Sequence, residues 1–240
     1  MSYTSLIMLT LAPMGSGLLF FFLPRLTQKI MNQIAAFGGS YLFGFLLLHL
    51  LPHLFVEGQS IAHELGFALL VGFSFQILLD LVSHGAAHGH SHQIEGTVSQ
   101  SGNQSLLLFA LCLHALVEGL LLGLQQGDFR LGTAILLHKL PAAVTLTLAM
   151  GKEQKMKTLL GLFLFSLATP LGSNLGGHLQ GATWFPIKLV HLLNGFAAGN
   201  LLHIATTMLL EADPNHEFNG LKAFLMATGV VVALMTLHHH

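Results

Sequence analysis

Leu113-His114-Ala115-Leu116-Val117-Glu118-Gly119 and, further along, Leu137-His138-Lys139-Leu140-Pro141 are the stretches that decide how this sequence folds. Each places ionisable side chains in the middle of an apolar segment long enough to cross a bilayer. A charged or titratable group at membrane depth is costly, and it faces a polar pathway or a partner rather than lipid. Imidazole and carboxylate are also ligands that suit a borderline divalent metal such as zinc. Together the two stretches point to a metal pathway through a membrane.

The rest of the chain agrees with a membrane. It is 53% hydrophobic and 8% charged, with a mean hydropathy of +0.71; soluble domains average about 25% charged residues. The formal net charge of -1 argues against a nucleic-acid partner. The lone cysteine, Cys112, lies in an apolar run and excludes both an intrachain disulfide and a site built from several cysteines of this chain. The N-terminus lacks the basic region of a cleavable signal peptide, so the first apolar segment is expected to be retained as a span.

A helix needs about 20 apolar residues to cross the hydrocarbon core. Eight segments meet that need, at about 4–23, 33–55, 62–81, 104–125, 130–150, 157–176, 185–210 and 218–237. The expected architecture is therefore an all-α integral membrane protein of eight transmembrane helices, with the metal pathway formed around the fourth and fifth. It reads as a single transport domain over 1–240 with one His-rich loop at about 82–103. Orientation follows from basic residues in short loops. Arg25, Lys29, Lys152, Lys155, Lys157 and Lys222 fall on one side, and Arg130 and Lys188 on the other. The richer side is placed in the cytoplasm, which puts both termini outside and the His-rich loop inside. The plasma (inner) membrane is the expected location.

His114 and Glu118 are four residues apart, so on a helix they share one face, about 6 Å apart along the axis. Counted from the turn at Gly127, Glu118, His114 and His138 lie nine, thirteen and eleven residues away, which is roughly 14, 20 and 17 Å at the helical rise. In an antiparallel hairpin His138 falls level with the gap between the other two, near the bilayer midplane. These three are the candidate metal ligands. Lys139 is turned by about 100° from His138; it either pairs with Glu118 or snorkels to the interface. Its ammonium occupies the place of a second metal and repels one. Pro141 removes a backbone hydrogen bond and either serves packing alone or frees carbonyls near the passage.

Other histidines mark the rest of a path. His49 and His53, again four apart at the outer end of the second span, are either an entrance or ordinary interfacial residues. His203 is placed to line a polar path within the seventh span, with His191 nearer its start. His84, His88, His90 and His92 lie among Gly and Ser, a metal-collecting composition without the apolar content to fold. Asp80 reads as a cap or a water-facing residue. His238, His239 and His240 are either native or a purification tag.

In order and spacing these motifs resemble the ZIP (Zrt/Irt-like protein) family of divalent metal transporters. The resemblance rests on His114 to Gly119 and His138 to Ala143. It extends to His49-Leu50-Leu51-Pro52, Ala168-Thr169-Pro170-Leu171-Gly172 and Ala197-Ala198-Gly199, with the His-rich loop after the third span. It implies eight spans, outside termini and metal movement toward the cytoplasm, with His114, Glu118 and His138 as ligands. Where two-metal members carry acidic or polar residues, this chain has Ala115, Lys139 and Ala142, which implies a single-metal midplane site. The second-span position after the proline, often acidic in the family, is His53. The cargo expected is Zn²⁺, with Fe²⁺, Mn²⁺, Co²⁺ and Cd²⁺ also acceptable to such ligands. Small residues in the sixth and seventh spans permit either internal packing or a homodimer. The rival reading is an intramembrane zinc-dependent hydrolase, since three ligands and an open position also activate water. It lacks a carboxylate to spare once Glu118 is a ligand, so a non-enzymatic role is expected.

Overall fold

The structure, a computed structural model, describes residues 3–82, 102–151, 154–211 and 220–236. His84, His88, His90 and His92, and also His216 and the three terminal histidines, lie outside the described residues.

The described residues are all-helical. The helices are α1 (Tyr3–Phe22), α2 (Pro24–Phe45), α3 (Leu51–Glu57), α4 (Ala62–Val82), α5 (Gly102–Leu124), α6 (Phe129–Met150), α7 (Lys155–Gly181), α8 (Ile187–Glu211) and α9 (Gly220–Met235). A π-helical turn, Leu46–Leu50, joins α2 to α3 without a break in the rod. Each segment read from the sequence overlaps one of these rods, the second of them running from α2 through the π turn into α3. Five stretches are long and apolar enough to cross a membrane among the described residues: Ile30–Glu57, Gln59–Val82, Gln104–Leu124, Phe129–Met150 and Lys155–Gly181. Large apolar side chains such as Leu70, Leu78, Phe109 and Leu171 lie on the outside. In water such a surface would be an aggregation hazard; against lipid it is the expected one.

Lipid removes the hydrophobic drive between helices, so close packing must hold them together. The pairs in most extensive contact are α5 with α7, α4 with α8, α2 with α9 and α1 with α6. The α5–α7 pair is the one that positions Glu118. A Cβ added to Gly119 would collide with the Thr169 carbonyl, and one added to Gly172 with the Leu116 carbonyl. Only glycine allows the backbones to come this near, on either side of Glu118. The main core gathers Leu42, Phe45, Leu121, Leu131, Ile135 and Leu201 from α2, α5, α6 and α8.

The hairpin between α5 and α6 is fixed locally. Gln126 and Gly127 adopt positive φ, 54° and 77°, which reverses the chain. Asp128 then caps α6: its carboxylate accepts from the backbone N–H groups of Arg130 (2.7 Å) and Leu131 (3.3 Å). The Arg130 guanidinium returns to Asp128 (2.9 Å) and also donates to the Thr236 carbonyl at the end of α9 (3.1 Å). Burial pushes the Asp128 carboxyl up, but the Arg130 side chain and the two backbone donors outweigh it and hold the group below the usual carboxylate range.

Candidate metal site

α5 and α6 bring His114, Glu118 and His138 together, with one ligand atom from each lying within 4.8 Å of the others. All three are buried, at 6%, 1% and 4% exposure. His138 Nε2 lies 2.5 Å from Glu118 Oε1, and His114 Nε2 contacts the same oxygen. The two rings meet edge to face with centroids 6.0 Å apart.

The other nitrogen of each ring has its own partner. His138 Nδ1 donates to the Ala134 carbonyl one turn back (3.0 Å), so that nitrogen carries the hydrogen and Nε2 of the neutral ring carries the lone pair. His114 Nδ1 lies 3.0 Å from Gln76 Oε1 on α4. Glu118 Oε2 is buried with no hydrogen-bond partner among the described residues. A buried carboxylate oxygen left in this way is costly. Two imidazole nitrogens and a carboxylate converging on one point form a donor set suited to a divalent cation.

The structure places Lys139 differently from both alternatives read in the sequence. Among the described residues its ammonium makes no salt bridge to Glu118, and it does not reach an interface; the residue is 1% exposed. Nζ donates instead to Thr169 Oγ1 on α7 and lies 4.7 Å from the centre of the Phe165 ring. The Thr169 hydroxyl passes the interaction on to the Ala115 carbonyl (3.1 Å). The rotation of about 100° between neighbours on a helix sends Lys139 toward α7 while His138 faces α5. Pro141 sits inside α6, which runs unbroken from Phe129 to Met150.

Asp80 is also more than a cap. Its Oδ1 accepts from Gln76 Nε2 (2.9 Å) and its Oδ2 from His203 Nε2 (2.7 Å). Asn200 Nδ2 donates to Gln76 Oε1 (2.8 Å). His203 is thus joined to His114 through Asp80 and Gln76. Gln76 and Asn200 were not singled out by sequence reading; each is one of several polar residues in a largely apolar helix, and only the pairing of α4 with α8 reveals them.

At the end of the bundle near the α5–α6 turn, a cavity of about 410 Å³ is lined by residues including His49, His53, Glu57, Arg130, His191 and Asn194. His49 and His53 stack with centroids 6.4 Å apart, and His53 Nε2 lies 3.4 Å from Glu57 Oε1. His49 lies within the π turn and His53 just beyond it, so the residue the turn adds to the ladder sets which face they share. Glu57, read in the sequence only as part of a turn, belongs to this cavity.

A bundle of apolar helices with a buried His₂Glu cluster between two of them defines the class: a helical membrane protein with a cluster of side chains that could hold a divalent cation. The chain belongs to the ZIP zinc transporter family, whose model matches residues 90–237. It is similar to protein zntD of Dictyostelium discoideum, 33% identical over 156 residues, covering 59% of this chain and 23% of that protein. It is also similar to the human zinc transporter ZIP1, 28% identical over 254 residues, covering 87% of this chain and 78% of that one. The Xenopus laevis zinc transporter ZIP9-B is 28% identical over 175 residues, covering 63% and 56%.

Proposed function

We propose that this protein carries divalent metal, Zn²⁺ foremost, across a membrane toward the cytoplasm, and that the ion rests between His114, Glu118 and His138 on its way. The observation that carries this reading is the convergence of three buried ligand groups from two apolar helices, with the second oxygen of Glu118 left without a hydrogen-bond partner among the described residues. A site of this kind releases its ion only if something shifts the ligands. A transporter needs such release, whereas a structural zinc site does not.

The reading includes a single transport domain with eight crossings, both termini outside and the loop at about 82–103 in the cytoplasm. The distribution of Arg25, Lys29, Lys152, Lys155, Lys157 and Lys222 supports this orientation. His49, His53 and Glu57 form the entrance, and the His84 to His92 stretch collects metal after release. One ion occupies the midplane, because the Lys139 ammonium disfavours a second. The hydrolase alternative is set aside: the cluster contains one carboxylate, already in use, and the family is one of transporters.

Zinc uptake into proteoliposomes of defined orientation tests the reading. Uptake is expected for the parent and lost in His114→Ala and Glu118→Ala variants that still insert. Competition by Fe²⁺, Mn²⁺, Co²⁺ and Cd²⁺ ranks the cargoes. Uptake that survives either substitution would place the ion elsewhere.

A further inference from the structure

Most of α4 faces outward, with Phe67, Leu70, Leu78 and Leu81 exposed, yet Gln76 in its middle is 1% exposed. A buried primary amide must have its donors and acceptor matched, or it destabilises the fold. Gln76 is matched on both sides. Its Nε2 donates to Asp80 Oδ1 (2.9 Å), while its Oε1 accepts from Asn200 Nδ2 (2.8 Å) and faces His114 Nδ1 (3.0 Å).

This arrangement has a direction. An ionised carboxylate only accepts, so Asp80 turns the amide nitrogen of Gln76 toward itself. His203 Nε2 donates to the other Asp80 oxygen (2.7 Å) and holds the carboxylate in place. With the nitrogen so turned, the amide oxygen must face His114 and Asn200. A reversed amide would set oxygen against carboxylate and N–H against the Asn200 N–H. His114 Nδ1 therefore meets an acceptor and carries the hydrogen, and the lone pair of the neutral ring is left on Nε2, the atom that contacts Glu118. His138 reaches the same state by a different device, a bond from Nδ1 to the Ala134 carbonyl within its own helix.

We propose that Gln76, oriented by Asp80 and Asn200, is the positioning residue that fixes the ring and tautomer of His114 and so presents Nε2 to the transported metal. The proposal rests on the three-ligand reading above. It makes the two histidine ligands unequal: that of His138 is built into α6, whereas that of His114 depends on side chains from α4 and α8. Removing an outer partner of a metal-binding histidine typically costs 10–100-fold in affinity.

The test uses the full chain in lipid nanodiscs, with the Zn²⁺ dissociation constant read by competition against a chromophoric chelator. Gln76→Leu is expected to weaken Zn²⁺ binding by about 10–100-fold. The double variant Gln76→Glu with Asp80→Asn reverses the donor and acceptor between the two positions, keeps an oxygen toward His114 Nδ1 and leaves net charge unchanged. It is expected to restore affinity to near that of the parent, which a role in packing alone does not predict. If Gln76→Leu binds like the parent while His114→Ala does not, the role of Gln76 is overturned and the three-ligand site stands. If His114→Ala also binds like the parent, the site reading itself is at fault. Should Gln76→Leu fail to insert, Asp80→Asn alone decides, since it removes the carboxylate that turns the Gln76 amide: a loss of tenfold or more that the double variant reverses supports the positioning role, and near-parent affinity in Asp80→Asn overturns it.

Discussion

His49–His53 and His114–Glu118 share the same four-residue spacing on apolar helices, yet they sit in opposite surroundings. The first pair opens onto a cavity, with His53 and Glu57 about half exposed. The second is almost wholly enclosed and gains a third ligand from α6. Spacing alone makes two side chains neighbours. Burial, and a third group from another helix, turn neighbours into a site where a cation replaces water. A pair open to solvent keeps its hydration alternative and would hold metal loosely, as the proposed entrance requires.

The largest effect expected from this contrast is in transport. His114→Ala or Glu118→Ala should abolish zinc uptake, while His49→Ala or His53→Ala should raise the KM and leave most of the maximal rate. Kinetics in proteoliposomes would separate the two classes. A comparable loss of maximal rate at both pairs would erase the distinction.

Packing comes next. Gly119→Ala would set a Cβ against the Thr169 carbonyl beside Glu118. Overpacking of this kind costs about 1–3 kcal/mol, so a lower thermal midpoint in detergent is expected, together with weaker uptake. An alanine at half-buried Gly66, where a Cβ has open space, should do neither.

A subtler change sharpens the inside of the enclosed site. Lys139→Asp would exchange an ammonium bonded to Thr169 for a carboxylate, and a second, weaker metal position is expected beside the first. Metal-to-protein stoichiometry rising from one toward two would show it; a ratio fixed at one would mean that Lys139 does not set the number of ions.

The smallest effect belongs to the turn. Asp128→Ala removes the α6 cap and should lower stability by about 0.5–2 kcal/mol. The Asp128 carboxyl is held below its ordinary value, so its contribution is present above the unfolded pKa, about 3.9, and is lost as pH falls through the lower folded value. The variant should therefore differ from the parent at neutral pH and converge with it in acid, as followed by unfolding midpoints across pH.

Much of this was legible in the sequence because membranes enforce simple rules. Helical rise and the turn at Gly127 were enough to bring His114, Glu118 and His138 to one level, and lipid length set the segments that became rods. Choices among neighbouring helices were not legible. Lys139 bonds Thr169 because α7 lies against α6 as well as α5, and Gln76 reaches His114 because α4 lies against α5 as well as α8; no periodicity within one segment encodes either contact. The π turn at Leu46–Leu50 was missed for a related reason, since its sequence is as apolar and regular as its surroundings.

Anomalous scattering from the zinc-loaded protein tests the central claim most directly. One ion is expected, ligated by Nε2 of His114, Nε2 of His138 and the Glu118 carboxylate, at zinc–ligand distances of about 2.0–2.2 Å. An ion held elsewhere with this cluster left without metal, or two fully occupied ions at the level of Glu118, would contradict the account.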